Sequence, residues 1–176
     1  MSYSNSEILF AFTEKLPQEY SHNPIVISGP DSMNQPNHEY LLLKENDTIE
    51  KVFEIKHLVS SGPYKEAVLF NNLLAVGHYD FLYLYDLIHN FNILRLELHG
   101  YFGHLYINNN RLFVADAGAI YCFDDKGKII WKNESLGIDG VYISEFDDKK
   151  IYGSGEWDPP GGWKDFVLDI NSGRAV

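Results

Sequence analysis

The chain has a single cysteine among its 176 residues, Cys122, so no disulfide can form within it. A chain without disulfides fits a reducing compartment. The first apolar run, residues 8–12, is short, and no positive charge precedes it. A secretory signal needs a basic start and a longer apolar stretch, and no run here is long enough to cross a bilayer. These absences predict a cytoplasmic protein with no membrane partner.

Positive charge is also scarce. The chain has 14 Lys and Arg against 25 Asp and Glu, which gives a net charge of −11. Proteins that bind a polyanion need clustered Lys and Arg, so the composition argues against a nucleic-acid partner. An acidic surface attracts cationic molecules and speeds their encounter. The charge therefore predicts a basic protein partner.

Catalytic and cofactor motifs are missing as well. Residues 153–155 have the wrong spacing for a serine nucleophile motif, and no phosphate-binding or dinucleotide-binding glycine loop is present. Cys122 lies among bulky apolar residues, which predicts an inert core thiol. The closest histidine pair, His99 and His104, lacks the further convergent ligands that a metal site needs. We therefore predict no enzyme activity, no cofactor and no metal.

What the sequence does contain is a repeat. Residues 71–86 align without gaps with residues 109–124, so that Tyr83 corresponds to Tyr121. A third copy follows with changed loops, and a fainter copy comes first. We predict one domain over residues 1–176 with copies at about 8–55, 66–98, 103–135 and 139–176. The shared apolar positions are expected to pack between copies; they are Leu74, Val76, Tyr83, Leu112, Val114, Tyr121, Ile151 and Phe166.

Each copy has the pattern of a four-stranded antiparallel meander. The best copy predicts strands at residues 105–107, 112–115, 119–123 and 128–131. The turns between them, 108–110 and 124–127, consist of Asn, Asp, Lys and Gly, and Asn, Asp and Gly tolerate the positive φ of tight hairpins. The strands are rich in Tyr, Phe, Val and Ile, as β-structure prefers. The fold class is therefore all-β, although residues 6–18 are also compatible with a short helix.

Residues 119–131, AIYCFDDKGKIIW, resemble the blade signature of the PQQ-like repeat proteins. In that family an apolar strand ends in Asp, a Gly turn follows, and the next strand carries a Trp. The resemblance covers residues 67–135 well and residues 139–176 in part. It implies propeller-blade-like repeats but not the quinone cofactor, because no cofactor-binding motif matches. Four such repeats would form either an open half-propeller or a small four-bladed ring. Residues 8–12 either begin the first copy, which we favour, or complete the last one.

In a blade, the loops between the second and third strands share one face with the connections between blades. Long loops on a rigid β-scaffold commonly carry function. The most distinctive is residues 153–163, GSGEWDPPGGW, which combines two Trp with two carboxylates. Aromatic anchors hold complexes and acidic neighbours steer their encounter. The predicted partner-binding residues are Trp157, Trp163, Glu156, Asp158, Asp165, Asp116, Tyr79, Tyr101 and Phe102.

Three functions are compatible with these features. The first is a non-catalytic protein-binding or inhibitor protein. Its most concrete form is an immunity protein that neutralises a basic, nuclease-type bacterial toxin, a class similar to this chain in length, acidity and Trp-bearing loops. The second is a carbohydrate or small-ligand module that stacks its ligand on Trp157 and Trp163. The third is a hydrolase that uses Glu156 and Asp158 as an acid/base pair.

Overall fold

A computed structural model describes residues 8–20, 22–29, 32–58, 64–158 and 161–176. These residues form fifteen β-strands and contain no α-helix, so the predicted all-β class is confirmed. The strands make four sheets, one for each predicted repeat. Within the described segments, no helix has the length and apolarity of a membrane span. The chain groups into two compact units, Met1–Ser60 with one sheet and Ser61–Val176 with three.

The first unit is built around one long hairpin. Its strands are β1 (Ile8–Thr13), β2 (Ile25–Val26), β3 (Asn37–Glu45) and β4 (Thr48–His57). Because β3 and β4 pair with each other through a tight turn, only their outer edges remain for other strands. β1 takes the β3 edge and β2 lies parallel to β4, so the order β1-β3-β4-β2 differs from a consecutive meander. The helical alternative for residues 8–13 is wrong, and their assignment to the first repeat is confirmed.

The next two sheets are consecutive four-stranded meanders, as the repeat predicted. One contains β5 (Lys65–Phe70), β6 (Leu73–His78), β7 (Phe81–Asp86) and β8 (Phe91–Glu97). The other contains β9 (Phe102–Asn108), β10 (Arg111–Asp116), β11 (Ile120–Phe123) and β12 (Ile129–Asn133). In the turn from β9 to β10, Asn109 and Asn110 have φ values of 45° and 60°. Positive φ at both central residues is what Asn permits in such a turn.

The fourth sheet is one strand short. It contains β13 (Val141–Phe146), β14 (Lys150–Glu156) and β15 (Trp163–Asp169) in consecutive order. After β15 the chain turns, and Ala175 forms a single antiparallel bridge back to Leu168. The last sheet therefore consists of three strands and this single bridge.

Two apolar clusters join the three sheets of the second unit. One cluster packs the sheet of β5–β8 against that of β9–β12, and it contains Leu112, Val114 and Tyr121. The other packs β9–β12 against β13–β15 and contains Ile151, with Phe166 half-buried beside it. Leu74, Val76 and Tyr83 are also buried, but they belong to neither cluster.

Cys122 lies in the second of these clusters and is fully buried. Burial raises the pKa of its thiol to about 11, although the nearby Arg111 opposes the change. A thiol with so high a pKa carries little thiolate at neutral pH. The predicted core position is confirmed, and the raised pKa agrees with the expectation of an unreactive thiol.

Hydrogen bonds also tie successive sheets through their first strands. The Leu105 amide of β9 donates to Glu66 Oε2 of β5 at 2.9 Å. The Ile143 amide of β13 donates to the hydroxyl of Tyr106 of β9 at 3.1 Å. These contacts fix the second unit's sheets side by side, so the loops at one end of the three sheets meet.

Candidate functional site

A cleft of about 360 Å³ opens in the second unit where these loops meet. Its lining includes three tyrosines, a tryptophan, a histidine and three carboxylates; they are Tyr64, Tyr101, Tyr142, Trp163, His104, Asp139, Glu156 and the buried Asp116. We call this site the aromatic cleft. Among the described residues, no lysine or arginine lines it.

The β14–β15 hairpin and its neighbour β13 build one wall. Glu156 and Trp163 are directly opposite each other in the β14–β15 register, and opposite residues project from the same face of a sheet. Tyr142 pairs with Ser154, two residues before Glu156, so the strand alternation brings Tyr142 to that face as well. The rings of Tyr142 and Trp163 pack edge to face with centroids 5.3 Å apart.

The connections before β5, β9 and β13 build the opposite wall. The rings of Tyr64 and Tyr101 stack with centroids 6.1 Å apart. The Tyr101 hydroxyl donates to the backbone oxygen of Asp139 at 2.6 Å and lies 3.3 Å from Oδ1 of the same residue. Burial first, and then the Asp139 carboxylate, Tyr64 and Glu156, together raise the pKa of Tyr101 to about 12. The phenol therefore remains a neutral donor in a region of negative potential.

Gly140 is the point where the two walls converge. A methyl group at its α-carbon would lie 3.2 Å from Trp163 Cη2 and 3.7 Å from the Tyr101 hydroxyl. Its φ of 147° is a conformation that other residues rarely adopt. The Gly140 carbonyl accepts the Glu156 amide at 2.8 Å, which links this connection to the end of β14.

Glu156 is held by its backbone while its side chain remains unpaired. Its carbonyl accepts the Ile138 amide at 2.7 Å, and the residue is half-buried. The carboxylate makes neither a hydrogen bond nor an ion pair with any residue that the structure describes. A partly desolvated carboxylate without a partner favours the approach of a cation.

The structure brings Trp163, Glu156 and Tyr101 together in the aromatic cleft, and Trp163 is 52% exposed. It does not bring the two loop tryptophans together. Trp157 is half-buried, and Lys164 Nζ lies 5.2 Å from the centre of its ring. Because Trp157 and Lys164 each follow a residue of the Glu156–Trp163 pair, they occupy the other face of the hairpin. The two rings therefore do not form one stacking platform.

The remaining predicted partner-binding residues lie outside the cleft or beneath the surface. Asp158 is exposed, and so is Asp165, whose carboxylate accepts the Ser154 hydroxyl at 2.5 Å. Asp116 and Phe102 are fully buried; Asp116 contributes to the lining of the cleft but exposes no surface to solvent. Tyr79 is half-buried, and its carbonyl accepts the Phe102 amide at 2.6 Å.

The ring of Phe102 is buried against Gly77 and fills the space that a side chain at position 77 would need. A methyl group on Gly77 would fall 2.1 Å from the ring. Phe102 thus packs the start of β9 against β6 and exposes no surface for a partner. Asp116 also has a structural role, because its carboxylate accepts backbone amides from its own loop and from the connection before β9.

Sequence reasoning missed Tyr64, Asp139 and Tyr142. A signal for the first two was present, because both lie in connections between repeats, and connections were expected on this face. The loop with two tryptophans, residues 153–163, is the more conspicuous feature of the sequence. Tyr142 could be placed only once the register of β13 against β14 was known.

Several solved structures are similar to this chain in fold. BamB from Moraxella catarrhalis is 12% identical over 78% of this chain and 42% of its own, with a TM-score of 0.53. Sqt1 from Saccharomyces cerevisiae is 15% identical over 74% and 38% of the two chains, with a TM-score of 0.52. A chain of the mitotic checkpoint complex is 16% identical over 96% and 52%, with a TM-score of 0.51. The fold is propeller-like.

The chain spans between 38% and 52% of the length of these three structures. No family model matches it, and no curated protein matches it in sequence. At these identities the comparisons show the fold alone. The blade-like architecture implied by the PQQ-like resemblance is confirmed, and function has to be argued from the site.

Proposed function

We propose that this chain is a non-catalytic protein-binding protein that holds a basic partner at the aromatic cleft. One observation carries the proposal. Trp163 is a large aromatic side chain, half exposed, and it stands beside carboxylates in a cleft without a lysine or arginine among the described residues. Tryptophan is among the residues that contribute most binding energy at protein interfaces.

The charge of the chain supports the same partner chemistry. A net charge of −11 attracts a basic protein over long range and raises the association rate. Rim charges mainly affect association, whereas a buried aromatic anchor mainly affects dissociation. The two contributions can therefore be separated by kinetics.

The finer form of the proposal is an immunity protein that acts in the cytoplasm on a basic, nuclease-type toxin. Enzymes that cleave nucleic acid carry clustered Lys and Arg to bind their polyanionic substrate. An acidic aromatic face is complementary to such a surface. An inhibitor of this kind should suppress cleavage when it is mixed with the toxin in equal amounts.

The test uses the partner that co-purifies with the tagged chain from its native host. Association and dissociation rates are measured at two salt concentrations for the wild type, Trp163→Ala and Phe91→Ala. Phe91 is a matched control because its side chain is 51% exposed and lies outside the cleft. We expect Trp163→Ala to weaken binding by about 2 kcal/mol, mainly through faster dissociation. Phe91→Ala should bind like the wild type.

Equal binding of Trp163→Ala and wild type would show that the partner uses another surface. Binding to a glycan, lost in Trp163→Ala, with no protein partner recovered, would instead establish the carbohydrate-binding alternative. For the finer proposal, nuclease activity of the partner is assayed with and without the chain. Full activity in the complex would contradict an inhibitory role while leaving protein binding intact.

A further inference from the structure

We infer that the aromatic cleft receives one arginine side chain of the partner, with the guanidinium between the aromatic walls and facing Glu156. The inference rests on the proposed function and identifies the chemical group that the cleft recognises. It follows from the composition of the walls, from the unpaired carboxylate and from the size of the site.

The walls supply aromatic rings from two sides. Trp163 and Tyr142 pack together on one side and Tyr64 and Tyr101 on the other, and one ring from each pair, Trp163 and Tyr101, approaches Gly140. Ring faces carry negative electrostatic potential and attract cations, most strongly for Trp. The absence of a side chain at Gly140 keeps the base of the cleft open between the two walls.

The carboxylates supply the counter-charge. Asp139 already accepts a contact from the Tyr101 hydroxyl, whereas the Glu156 carboxylate has no partner within the described part of the chain. Partial burial weakens the hydration of Glu156, so a cation that reaches it is attracted more strongly than at an open surface. None of the described lining residues is a lysine or arginine, and the histidine of the lining, His104, lies 3.7 Å from Glu66 Oε2, which offers its charge a partner away from Glu156.

Arginine fits this arrangement better than other cations. Its planar guanidinium stacks on aromatic faces and at the same time donates two parallel hydrogen bonds to a carboxylate. A lysine ammonium is a compact, strongly hydrated charge that stacks poorly. The volume of about 360 Å³ is at the small end of the range for ligand pockets, roughly 300–1,000 Å³, which favours a single side chain over a larger ligand.

The test uses end-blocked tripeptides in which glycine flanks a central arginine, lysine or citrulline, together with tetramethylammonium. Citrulline has the shape of arginine without its charge. Binding to the full chain is followed by NMR through the indole N–H of Trp163, assigned by its loss in Trp163→Phe. We expect the arginine peptide to bind about tenfold more tightly than the citrulline peptide and more tightly than the lysine peptide.

Matched variants identify the carboxylate that is responsible. Glu156→Gln removes the charge and keeps the shape, and it should weaken the arginine peptide about tenfold. Glu145→Gln removes an exposed carboxylate of β13 outside the cleft, and binding should stay within about twofold of wild type. Thermal unfolding of both variants confirms that the fold is retained.

Equal affinity for the arginine and citrulline peptides would overturn the inference, and so would wild-type affinity in Glu156→Gln. The inference would also be overturned if the lysine peptide or tetramethylammonium bound more tightly than the arginine peptide, because the cleft would then prefer an ammonium group to a guanidinium. The proposed function has a separate outcome. If the partner complex depends on Trp163 but not on Glu156, the arginine assignment fails and protein binding at this face stands.

Discussion

Asp116 illustrates how one side chain organises the loops beneath the aromatic cleft. It ends β10, is fully buried, and its carboxylate accepts three backbone amides. Gly118 and Ala119 donate to Oδ1 at 2.9 and 2.6 Å, and His99 donates to Oδ2 at 2.9 Å. Burial raises the pKa of the carboxyl group, while these amide bonds oppose the rise. One residue therefore fixes both its own loop and the connection before β9.

Replacing Asp116 by Ala should strongly destabilise the chain, because three amide donors lose their acceptor in a buried place. We expect the free energy of unfolding to fall by about 3 kcal/mol or more in a urea denaturation experiment. Asp116→Asn should cost less, since its oxygen can still accept from Gly118 and Ala119. Asp125→Ala, at an exposed turn position, is the control. Wild-type stability of Asp116→Ala would show that water or a shifted loop replaces these bonds.

At the scale of elements, the connection 135–140 packs directly on β14 and thereby shapes the cleft. A methyl group on Gly155 would fall 1.7 Å from the carbonyl oxygen of Leu136. Ile138 and Glu156 are joined by a backbone hydrogen bond along the same contact. The close approach is possible only because β14 carries glycine where the connection crosses it.

Gly155→Ala should therefore push the connection away from β14. We expect a loss of about 3 kcal/mol in the free energy of unfolding, as overpacking against backbone produces, together with weaker partner binding. Gly162→Ala is the control, because a methyl group there meets no atom within 4 Å and only its φ of 64° is unfavourable. That variant should lose about 1 kcal/mol. Equal losses in the two variants would contradict a steric role for the connection.

The elements that could be predicted from the sequence are those determined by residues close together in the chain. The turn from β9 to β10 follows from Asn109 and Asn110, whose tolerance of positive φ is visible in the sequence. The order of the first sheet could not be predicted, since the parallel pairing of β2 with β4 is non-local and involves only two residues. The separation of Trp157 from Trp163 depended on register as well. A shift of one residue exchanges the faces of a strand, and spacing along the chain does not reveal it.

At the scale of the whole molecule, the repeat also recurs in the turns that follow the strands. Asp86 and Asp169 occupy corresponding positions at the ends of β7 and β15, and each carboxylate accepts backbone amides of the next turn at 2.8–3.1 Å. Asp147 does the same for the turn before β14 at 2.6–2.7 Å. The turn of Asp86 belongs to the sheet of β5–β8, and those of Asp147 and Asp169 belong to the sheet of β13–β15, so these three turn carboxylates are spread over two sheets.

These three turn carboxylates make the stability of the fold depend on pH in the acid range. Hydrogen bonds from His89, Lys149 and Ser172 lower the pKa values of Asp86, Asp147 and Asp169, respectively, below the ordinary 3.8. A carboxyl group with a lowered pKa in the folded state stabilises the fold fully above its unfolded pKa. That contribution is lost as the pH falls through the lower, folded pKa. Asp116 has the opposite effect on the pH dependence of stability. Its pKa is raised in the folded state, so its protonation at low pH stabilises the fold.

We therefore expect the three turn carboxylates to lower the free energy of unfolding as the pH is lowered from about 4 towards 2, because each loses its stabilising contribution as it is protonated. The double variant Asp86→Asn/Asp169→Asn should flatten this fall, because each amide oxygen still accepts from the turn but no longer titrates. Asp125→Asn/Asp148→Asn changes the net charge equally at exposed turn positions with no amide bond to the carboxylate among the described residues. Urea unfolding of wild type and both variants across this pH range separates the turn bonds from general charge repulsion. If the fall in the free energy of unfolding were reduced equally in both double variants, the acid sensitivity would be due to net charge and not to the turn hydrogen bonds.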